Sequence, residues 1–348
     1  MTMRNSLFIA LAVIAAGAVY ALARIVNNDY LFFAGYVVLQ FVVLATAWNI
    51  LGGYCGYVNF GSAAFFALGA YTTVSMVKFP ALAAKYFPEW LAALVAAMFP
   101  LPIPVLILLG GIIAGLVGLG TGYLTLRLRG VYFSIATLAL AVVLQTLVVN
   151  WEYVGGSRGA YVVRPAATPL LGVNYIEYLF LLMLALSVAA IATARAIECS
   201  RLGFGFASIR DDEIAAESCG VPTLRLKLIA TTLSGAFMGM AGAPFPYYIG
   251  YLEPSSAFGL AYAVNSIAMP MIGGTTSWVG PLIGAVLLGT LQQLATVTIS
   301  SAVSLLIVGL LLVGFVIVAP NGIVGLFETL MRREPPEPPR PLDAGSKA

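Results

Sequence analysis

The sequence predicts an all-α, polytopic membrane protein with about ten transmembrane helices (range about 8–10) and a short helix on the cytoplasmic side. Of its 348 residues, 61% are hydrophobic and only 9% are charged, whereas soluble domains carry about 25% charged residues. So few charges cannot cover a soluble fold of this size, so most of the exterior faces lipid. Several apolar stretches also reach the length of about 20 residues that a bilayer crossing needs.

Ten stretches qualify as spans, and they follow one another along most of the chain. They are predicted at residues 6–26, 30–51, 52–77, 105–126, 131–151, 175–197, 226–249, 261–275, 279–299 and 302–319. The first stretch resembles a cleaved signal peptide in outline, but its apolar run is longer than the ~7–15 residues of a signal peptide. A retained helix is therefore favoured.

Residues 90–101 are apolar but too short to cross the membrane. They lead into Pro100, Pro102 and Pro104, which interrupt helices. This pattern predicts a re-entrant or interfacial segment, with a simple loop as the alternative.

The basic residues predict the orientation. With both termini in the cytoplasm, five basic residues lie outside, namely Arg24, Lys78, Lys85, Arg158 and Arg164. Twelve lie inside: Arg4, Arg127, Arg129, Arg195, Arg201, Arg210, Arg225, Lys227, Arg332, Arg333, Arg340 and Lys347. This excess obeys the positive-inside rule. Residues 1–333 are predicted to form the membrane domain, and the proline-rich and charged residues 334–348 a disordered cytoplasmic tail.

Several functions are disfavoured by composition. Histidine is absent, and the three cysteines, Cys55, Cys199 and Cys219, lack metal-binding spacing, so we expect no catalytic site, metal or cofactor. The net charge of +3 is too small to indicate a nucleic-acid partner. A membrane enzyme is therefore an unfavoured alternative.

The spans also lack the groups that energise transport. No charged residue lies between Asp29 and Lys78, between Arg129 and Glu152, or between Glu253 and Glu328, whereas ion-coupled carriers usually need such groups. No lysine is followed by serine or threonine, which excludes a P-loop. An autonomous channel or ion-coupled carrier is thus a less favoured alternative to a pore whose energy comes from another polypeptide.

The longest internal cytoplasmic segment, residues 198–225, contains a predicted helix. Ser208 and Asp211 resemble a capping box, and acidic residues follow as they commonly do at helix N-termini. Gly220 and Pro222 provide the stop. The pattern predicts a helix of about three turns that is too polar to cross the membrane.

A glycine-rich stretch suggests the solute path. Gly52, Gly53, Gly56 and Gly61 weaken a helix, and irregular backbone is tolerated in a bilayer only where it is buried or lines a cavity. A second interruption, Gly273 to Gly280, is the paired feature that points to a transport site. The residues predicted to border the path are Tyr54, Asn59, Ser62 and Tyr71, with Thr137 and Gln145 as weaker candidates.

Other glycines have the spacing that lets membrane helices pack closely. These pairs are Gly111 and Gly115, Gly118 and Gly122, Gly235 and Gly239, and Gly280 and Gly284. Close helix packing is the expected role.

Five segments resemble one family in the same order. They are Asn49–Tyr71 (NILGGYCGYVNFGSAAFFALGAY), Leu126–Leu138 (LRLRGVYFSIATL), Ile209–Gly220 (IRDDEIAAESCG), Ile272–Gly284 (IGGTTSWVGPLIG) and Pro320–Gly322. Together they resemble the LivM-type permease subunits of bacterial branched-chain amino-acid ABC importers.

The resemblance implies a multi-pass subunit of the bacterial inner membrane, paired with a second related permease, two cytoplasmic ATPases and a periplasmic solute-binding protein. It implies branched-chain amino acids as solutes, with urea, amides or aromatic acids as alternatives. The polar helix would be the coupling helix seated in the ATPase, with its acidic side chains facing basic groups of that partner. Its residues are Ile209, Arg210, Asp211, Asp212, Glu213, Ile214, Ala215, Ala216, Glu217 and Gly220.

Overall fold

The computed structural model describes residues 2–26, 28–163, 174–298, 306, 309–310, 313–314 and 322–331. Within them the helices are α1 (Thr2–Val26), α2 (Asp29–Gly52), α3 (Ser62–Tyr86), α4 (Glu89–Met98), α5 (Ile103–Thr125), α6 (Val131–Val149), α7 (Tyr175–Glu198), α8 (Arg201–Asp211), α9 (Glu213–Ser218), α10 (Thr223–Gly242), α11 (Phe245–Ile249), α12 (Pro254–Ala257), α13 (Leu260–Gly273), α14 (Val279–Thr298) and α15 (Gly322–Met331). Two short 3₁₀ turns, Glu152–Val154 and Gly156–Arg158, lie between α6 and the first strand. The strands β1 (Ala160–Tyr161) and β2 (Tyr251–Leu252) pair antiparallel.

Eight helical stretches in the described part of the chain are long and apolar enough to cross a membrane. They are Asp29–Gly52, Ser62–Tyr86, Ile103–Thr125, Val131–Val149, Tyr175–Glu198, Thr223–Ile249, Pro254–Gly273 and Val279–Thr298. The predicted all-α, polytopic class is thereby confirmed. The first predicted span falls on α1, and the tenth, at 302–319, lies mostly outside the described residues, as does the whole tail at 334–348.

Helix α2 is the central helix of the bundle. Asn28 begins it by accepting a hydrogen bond from the backbone N–H of Tyr30, as N-cap residues do. Every residue from Gln40 to Leu51 is buried. Burial on all sides favours a largely apolar surface, and only Gln40, Thr46 and Asn49 in this stretch are polar.

Helices α5 and α10 cross at a surface made of glycine. A Cβ on Gly115 would lie 3.2 Å from the Cβ of Ala236, and a Cβ on Gly239 would lie 2.5 Å from the carbonyl oxygen of Gly110. The helix backbones approach this closely because neither position carries a side chain. The expected packing role of the glycine pairs in α5 and α10 is thus confirmed.

The connections gather at two ends of the bundle. One, here called the network end, contains residues 53–61, 126–130, 199–222 and 274–278. These pieces contact one another and the end of α7: Arg129 pairs with Glu217, and the backbone N–H of Trp278 donates to Glu198, the last residue of α7. The other, here called the strand end, contains residues 87–102, 150–163 and 250–259, and there β1 pairs with β2.

The third predicted span was placed wrongly. Residues 52–77 were expected to form one crossing, but α3 begins at Ser62 and continues to Tyr86, and residues 53–61 are not helical. Gly56 has a φ of 78°, a conformation that favours glycine, and the chain there passes against the backbone of Arg210. The nine residues form an irregular segment, here called the 53–61 segment.

Residues 90–101 are partly helical. Helix α4 covers Glu89–Met98, and none of its residues is buried. The alternative of a simple loop is therefore wrong, and the interfacial or re-entrant placement stays a prediction.

Candidate functional site at the network end

The predicted polar helix is two helices with a break between them. We expected one helix capped by Ser208, but α8 ends at Asp211 and α9 begins at Glu213. Asp212 is extended (φ −158°, ψ 109°), and its carboxylate accepts hydrogen bonds from the backbone N–H groups of Ile214 and Ala215 at 2.9 and 3.0 Å. The break occurs here because an Asp side chain that caps a new helix competes with continuing the old one. Ser208 instead donates to the carbonyl of Gly205.

Glu213 lies at the centre of a buried polar network. The Nζ of Lys227, on α10, donates to Oε1 of Glu213 over 2.7 Å, and the hydroxyl of Tyr57, in the 53–61 segment, donates to Oε2. Only 3% of the Lys227 side chain and 12% of the Glu213 side chain are exposed. Lys227 also donates to the carbonyl of Leu126 over 3.2 Å, so the buried charges have the hydrogen bonds that make their burial tolerable.

The network alters the ionisation of its members. Burial alone would raise the pKa of Glu213, but the hydrogen bonds from Lys227 and Tyr57, with the charges of Lys227 and Arg129, outweigh burial and lower it below its ordinary value. Burial and the bond to Glu213 raise the pKa of Tyr57. The site therefore holds a carboxylate at Glu213 and a neutral phenol at Tyr57 at pH 7.

Glu217 also faces its own chain. Its Oε2 lies 3.1 Å from Nη2 of Arg129, and its Oε1 accepts from the hydroxyl of Thr223 over 2.8 Å. The expectation that Asp211, Asp212, Glu213 and Glu217 meet basic groups of a partner stays a prediction, but Glu213 and Glu217 already bind basic groups of their own chain. The physical reason is the buried Lys227, which requires a counterion from within the chain.

The remaining predicted residues divide by exposure. Ile209 and Ala216 are buried, and Ile209 packs with Phe206, Tyr54 and Tyr57. Exposed residues of the predicted set are Arg210, Asp211, Asp212, Ile214, Ala215, Glu217 and Gly220. Phe204, on α8, is 75% exposed and belongs to the same surface; its position just before the predicted helix start hid it from sequence reasoning.

A second carboxylate, Glu198, joins two irregular segments. Its Oε2 accepts from the backbone N–H of Trp278 over 2.9 Å and from the hydroxyl of Tyr54 over 3.3 Å. The two glycine-rich interruptions also touch directly, because a Cβ on Gly53 would lie 2.6 Å from the carbonyl oxygen of Thr275. Sequence reasoning predicted both interruptions but not Glu198, whose partners are far away in the sequence.

Three predicted path residues build the start of α3. Asn59 accepts from the backbone N–H of Gly61 over 2.7 Å, Thr137 accepts from the backbone N–H of Phe60 over 3.2 Å, and Ser62 shares a 2.7 Å hydrogen bond with Ser266. All are buried. Asn59 and Thr137 border a cavity of about 10 Å³, which is room for a single water.

The other predicted path residues lie apart. Tyr54 is held at Glu198, and Gln145 is half-buried on α6. Tyr71 is buried, and its hydroxyl has no hydrogen-bond partner among the described residues. Ser266, the partner of Ser62, was missed, although a polar residue in an apolar helix is a signal that was available.

Long apolar helices around a charged, hydrogen-bonded end define the chain as a polytopic membrane protein. It belongs to the family described as the permease component of the branched-chain amino acid transport system, which matches residues 30–316. Its role is that of a permease subunit of an ABC importer.

The relatives carry names of the same kind. The chain is 28% identical over 308 residues to the high-affinity branched-chain amino acid transport system permease protein LivM of Salmonella typhimurium and to that of Escherichia coli K12. Each alignment covers 82% of this chain and 67% of the relative. It is 23% identical to the probable branched-chain amino acid transport permease protein LivH of Methanocaldococcus jannaschii, over 77% of this chain and 83% of that protein. No solved structure matches the chain.

Proposed function

We propose that the chain forms half of a path that imports branched-chain amino acids delivered by a periplasmic binding protein. The observation that carries this proposal is the similarity to LivM over 82% of the chain. The lack of charged residues between Arg129 and Glu152 and between Glu253 and Glu328 supports passage of a zwitterion or neutral solute and not of a coupling ion.

The proposed assembly contains a second related permease, two ABC ATPases and the binding protein. The ATPases would bind at the network end, where α8 and α9 expose a surface that is apolar at Phe204 and Ile214 and charged at Arg210 and Asp211. Apolar anchors with a polar surround are typical of protein interfaces. Residues 209–220 therefore remain our candidate for the ATPase contact, and they comprise the end of α8, all of α9 and the turn after it.

This assignment requires the network end, and with it both termini, to face the cytoplasm of a bacterial inner membrane. The clustering of Arg127, Arg129, Arg201 and Arg210 at that end supports it. Cys219, which is exposed on the same side, gives a direct test. In intact cells a membrane-permeant thiol reagent should label Cys219 and an impermeant one should not, with a Cys219→Ala variant as the control.

The path assignment of Tyr54, Asn59, Ser62, Tyr71, Thr137 and Gln145 stays a proposal. The unsatisfied hydroxyl of Tyr71 supports it, since a buried hydroxyl without a partner is costly unless something else binds it. Asn59, Ser62 and Thr137 would face solute only when the start of α3 moves.

The decisive test is reconstitution with the co-encoded partner subunits in liposomes. We expect uptake of radiolabelled leucine that needs ATP, the ATPases and the binding protein together. Uptake by this chain alone, without ATPases, would overturn the proposal. Uptake of urea, an amide or an aromatic acid in place of leucine would keep the importer role and change the solute.

A further inference from the structure

We propose that Tyr54 and Tyr57 are positioning residues that connect the coupling segment, residues 199–222, to the start of α3. This inference rests on the proposed ATPase contact of α8 and α9. The hydroxyl of Tyr54 donates to Glu198, which precedes α8 in the sequence, and the hydroxyl of Tyr57 donates to Glu213, which follows α8. A movement of α8 and α9 would thus displace the chain between the two tyrosines.

The two residues between Tyr54 and Tyr57 also pack closely against α8 and its neighbours. Gly56 lies against α8, where its Cβ would stand 3.1 Å from Cγ and 3.3 Å from Cα of Arg210. Cys55 is fully buried in the cluster that contains Ile209 and Phe206. Residues 54–57 therefore pack on the coupling segment through backbone, apolar groups and two charge-assisted hydrogen bonds.

The displacement would reach the candidate path within a few residues. Asn59, Phe60 and Ser62 follow immediately and hold the start of α3 against Thr137 and Ser266. Helical segments are stiff, whereas the irregular residues between Tyr57 and Ser62 can change their backbone angles. A shift of Tyr57 would therefore rotate or release the N-terminus of α3.

The surroundings leave room for such a shift. A cavity of about 340 Å³ borders the segment and is lined by Gly56, Tyr57, Arg129, Ser134 and Glu213. Glu213 also divides its two oxygens between Tyr57 and Lys227. Because Lys227 lies on the core helix α10, a move of α9 changes the distance of Glu213 to the core and to Tyr57 together.

The test uses the complete importer in liposomes with Tyr54→Phe, Tyr57→Phe and the double variant. Phenylalanine keeps the ring and removes only the hydroxyl. We expect solute uptake per ATP hydrolysed to fall about tenfold in Tyr57→Phe, the ratio that loss of one hydrogen bond to a charged group supports, while ATP hydrolysis and assembly persist. Tyr153→Phe is the matched control, because the Tyr153 hydroxyl donates over 2.7 Å to the carbonyl of Ser75 at the strand end.

A second measurement follows the segment itself through Cys55. In a Cys199→Ala, Cys219→Ala background, Cys55 is the remaining thiol, and burial raises its pKa to about 12, so its alkylation is slow. We expect nucleotide trapping of the ATPases to change the alkylation rate of Cys55 about threefold or more. The tyrosine substitutions should abolish that change. A merely structural role would not link Cys55 to nucleotide.

The outcomes separate this inference from the proposed function. Normal uptake per ATP in the double variant, or a Cys55 rate that ignores nucleotide in the unsubstituted importer, would overturn the role of the tyrosines and leave the importer intact. An unsubstituted complex without ATP-dependent uptake would instead overturn the proposed function. If the phenylalanine variants fail to assemble, Glu198→Gln and Glu213→Gln weaken the same contacts from the other side, because they remove the negative charge of the acceptor.

Discussion

The two ends of the bundle are held together in different ways. At the network end the carboxylates of Glu213 and Glu198 each bind groups from at least two other elements, and one of those elements is always the 53–61 segment. At the strand end the irregular pieces are joined by the pairing of β1 with β2 and by the neutral hydrogen bond from Tyr153 to Ser75. The strand end also holds a shared carboxylate, Glu177, but its partners Arg24 and Tyr20 lie on a regular helix, so it joins α1 to α7.

This difference indicates which end can move during a working cycle. Backbone pairing fixes a register and is satisfied in one arrangement. A carboxylate that binds the irregular 53–61 segment can exchange partners as that segment changes its backbone angles, because each group retains hydrogen-bonding capacity. We therefore expect rearrangement at the network end, around Glu213, and a comparatively constant strand end.

The largest effect is expected from Lys227→Met. It leaves the Glu213 carboxylate buried without its closest cation, which costs about 3–5 kcal/mol in the free energy of unfolding. Lys85→Met, an exposed change at the strand end, is the control and should alter stability by less than about 0.5 kcal/mol. Denaturation in mixed micelles measures both, and equal stabilities would show that the network does not hold this end.

Gly239→Ala tests the α5–α10 contact that links the two ends. The new Cβ would overlap Ala114 and the carbonyl of Gly110, so we expect a loss of about 1–3 kcal/mol. Gly120→Ala, on the same α5, meets nothing within 4 Å and serves as the control. If Gly239→Ala leaves the free energy of unfolding unchanged in the same assay, α5 and α10 can move apart without cost.

Asp212→Ala tests whether the break between α8 and α9 is maintained by its cap. Removing the side chain exposes the N–H groups of Ile214 and Ala215, at a cost of about 1 kcal/mol. Hydrogen exchange of those amides should become faster. Asp211→Ala, whose carboxylate contacts Arg210 only weakly over 3.4 Å, should leave their exchange unchanged; equal exchange in both variants would mean that the cap is not needed.

The smallest effect is a dependence of stability on pH at the network end. Because the pKa of Glu213 is lowered in the folded protein, its contribution is complete above the ordinary glutamate value of about 4.3 and is lost as the pH falls through the folded value. Between about pH 5 and about pH 3 the unsubstituted protein should lose more stability than Glu213→Gln. If stability falls equally with pH in the two proteins, Glu213 does not contribute to the pH dependence.

The sequence predicted more of the fold than of the site. The bounds predicted for the spans at 105–126, 131–151, 175–197 and 279–299 agree with the helices to within a few residues, because hydropathy is a property of each segment by itself. The same reasoning placed the third span wrongly, since an apolar composition does not distinguish a helix from a buried irregular segment. The glycines at 52, 53, 56 and 61 gave the warning, and Gly56 supplies the positive φ.

The sequence by itself therefore determined the membrane class, most of the spans and the polar segment near residue 213. Only the tertiary structure decided what that segment binds. Glu213 pairs with Lys227, 14 residues away, and with Tyr57, 156 residues away, and no local pattern encodes those distances. A buried charge takes whichever partner the packing brings within reach, so the packing of α10 and the 53–61 segment turned an acidic residue expected to face a partner subunit into the centre of an internal network.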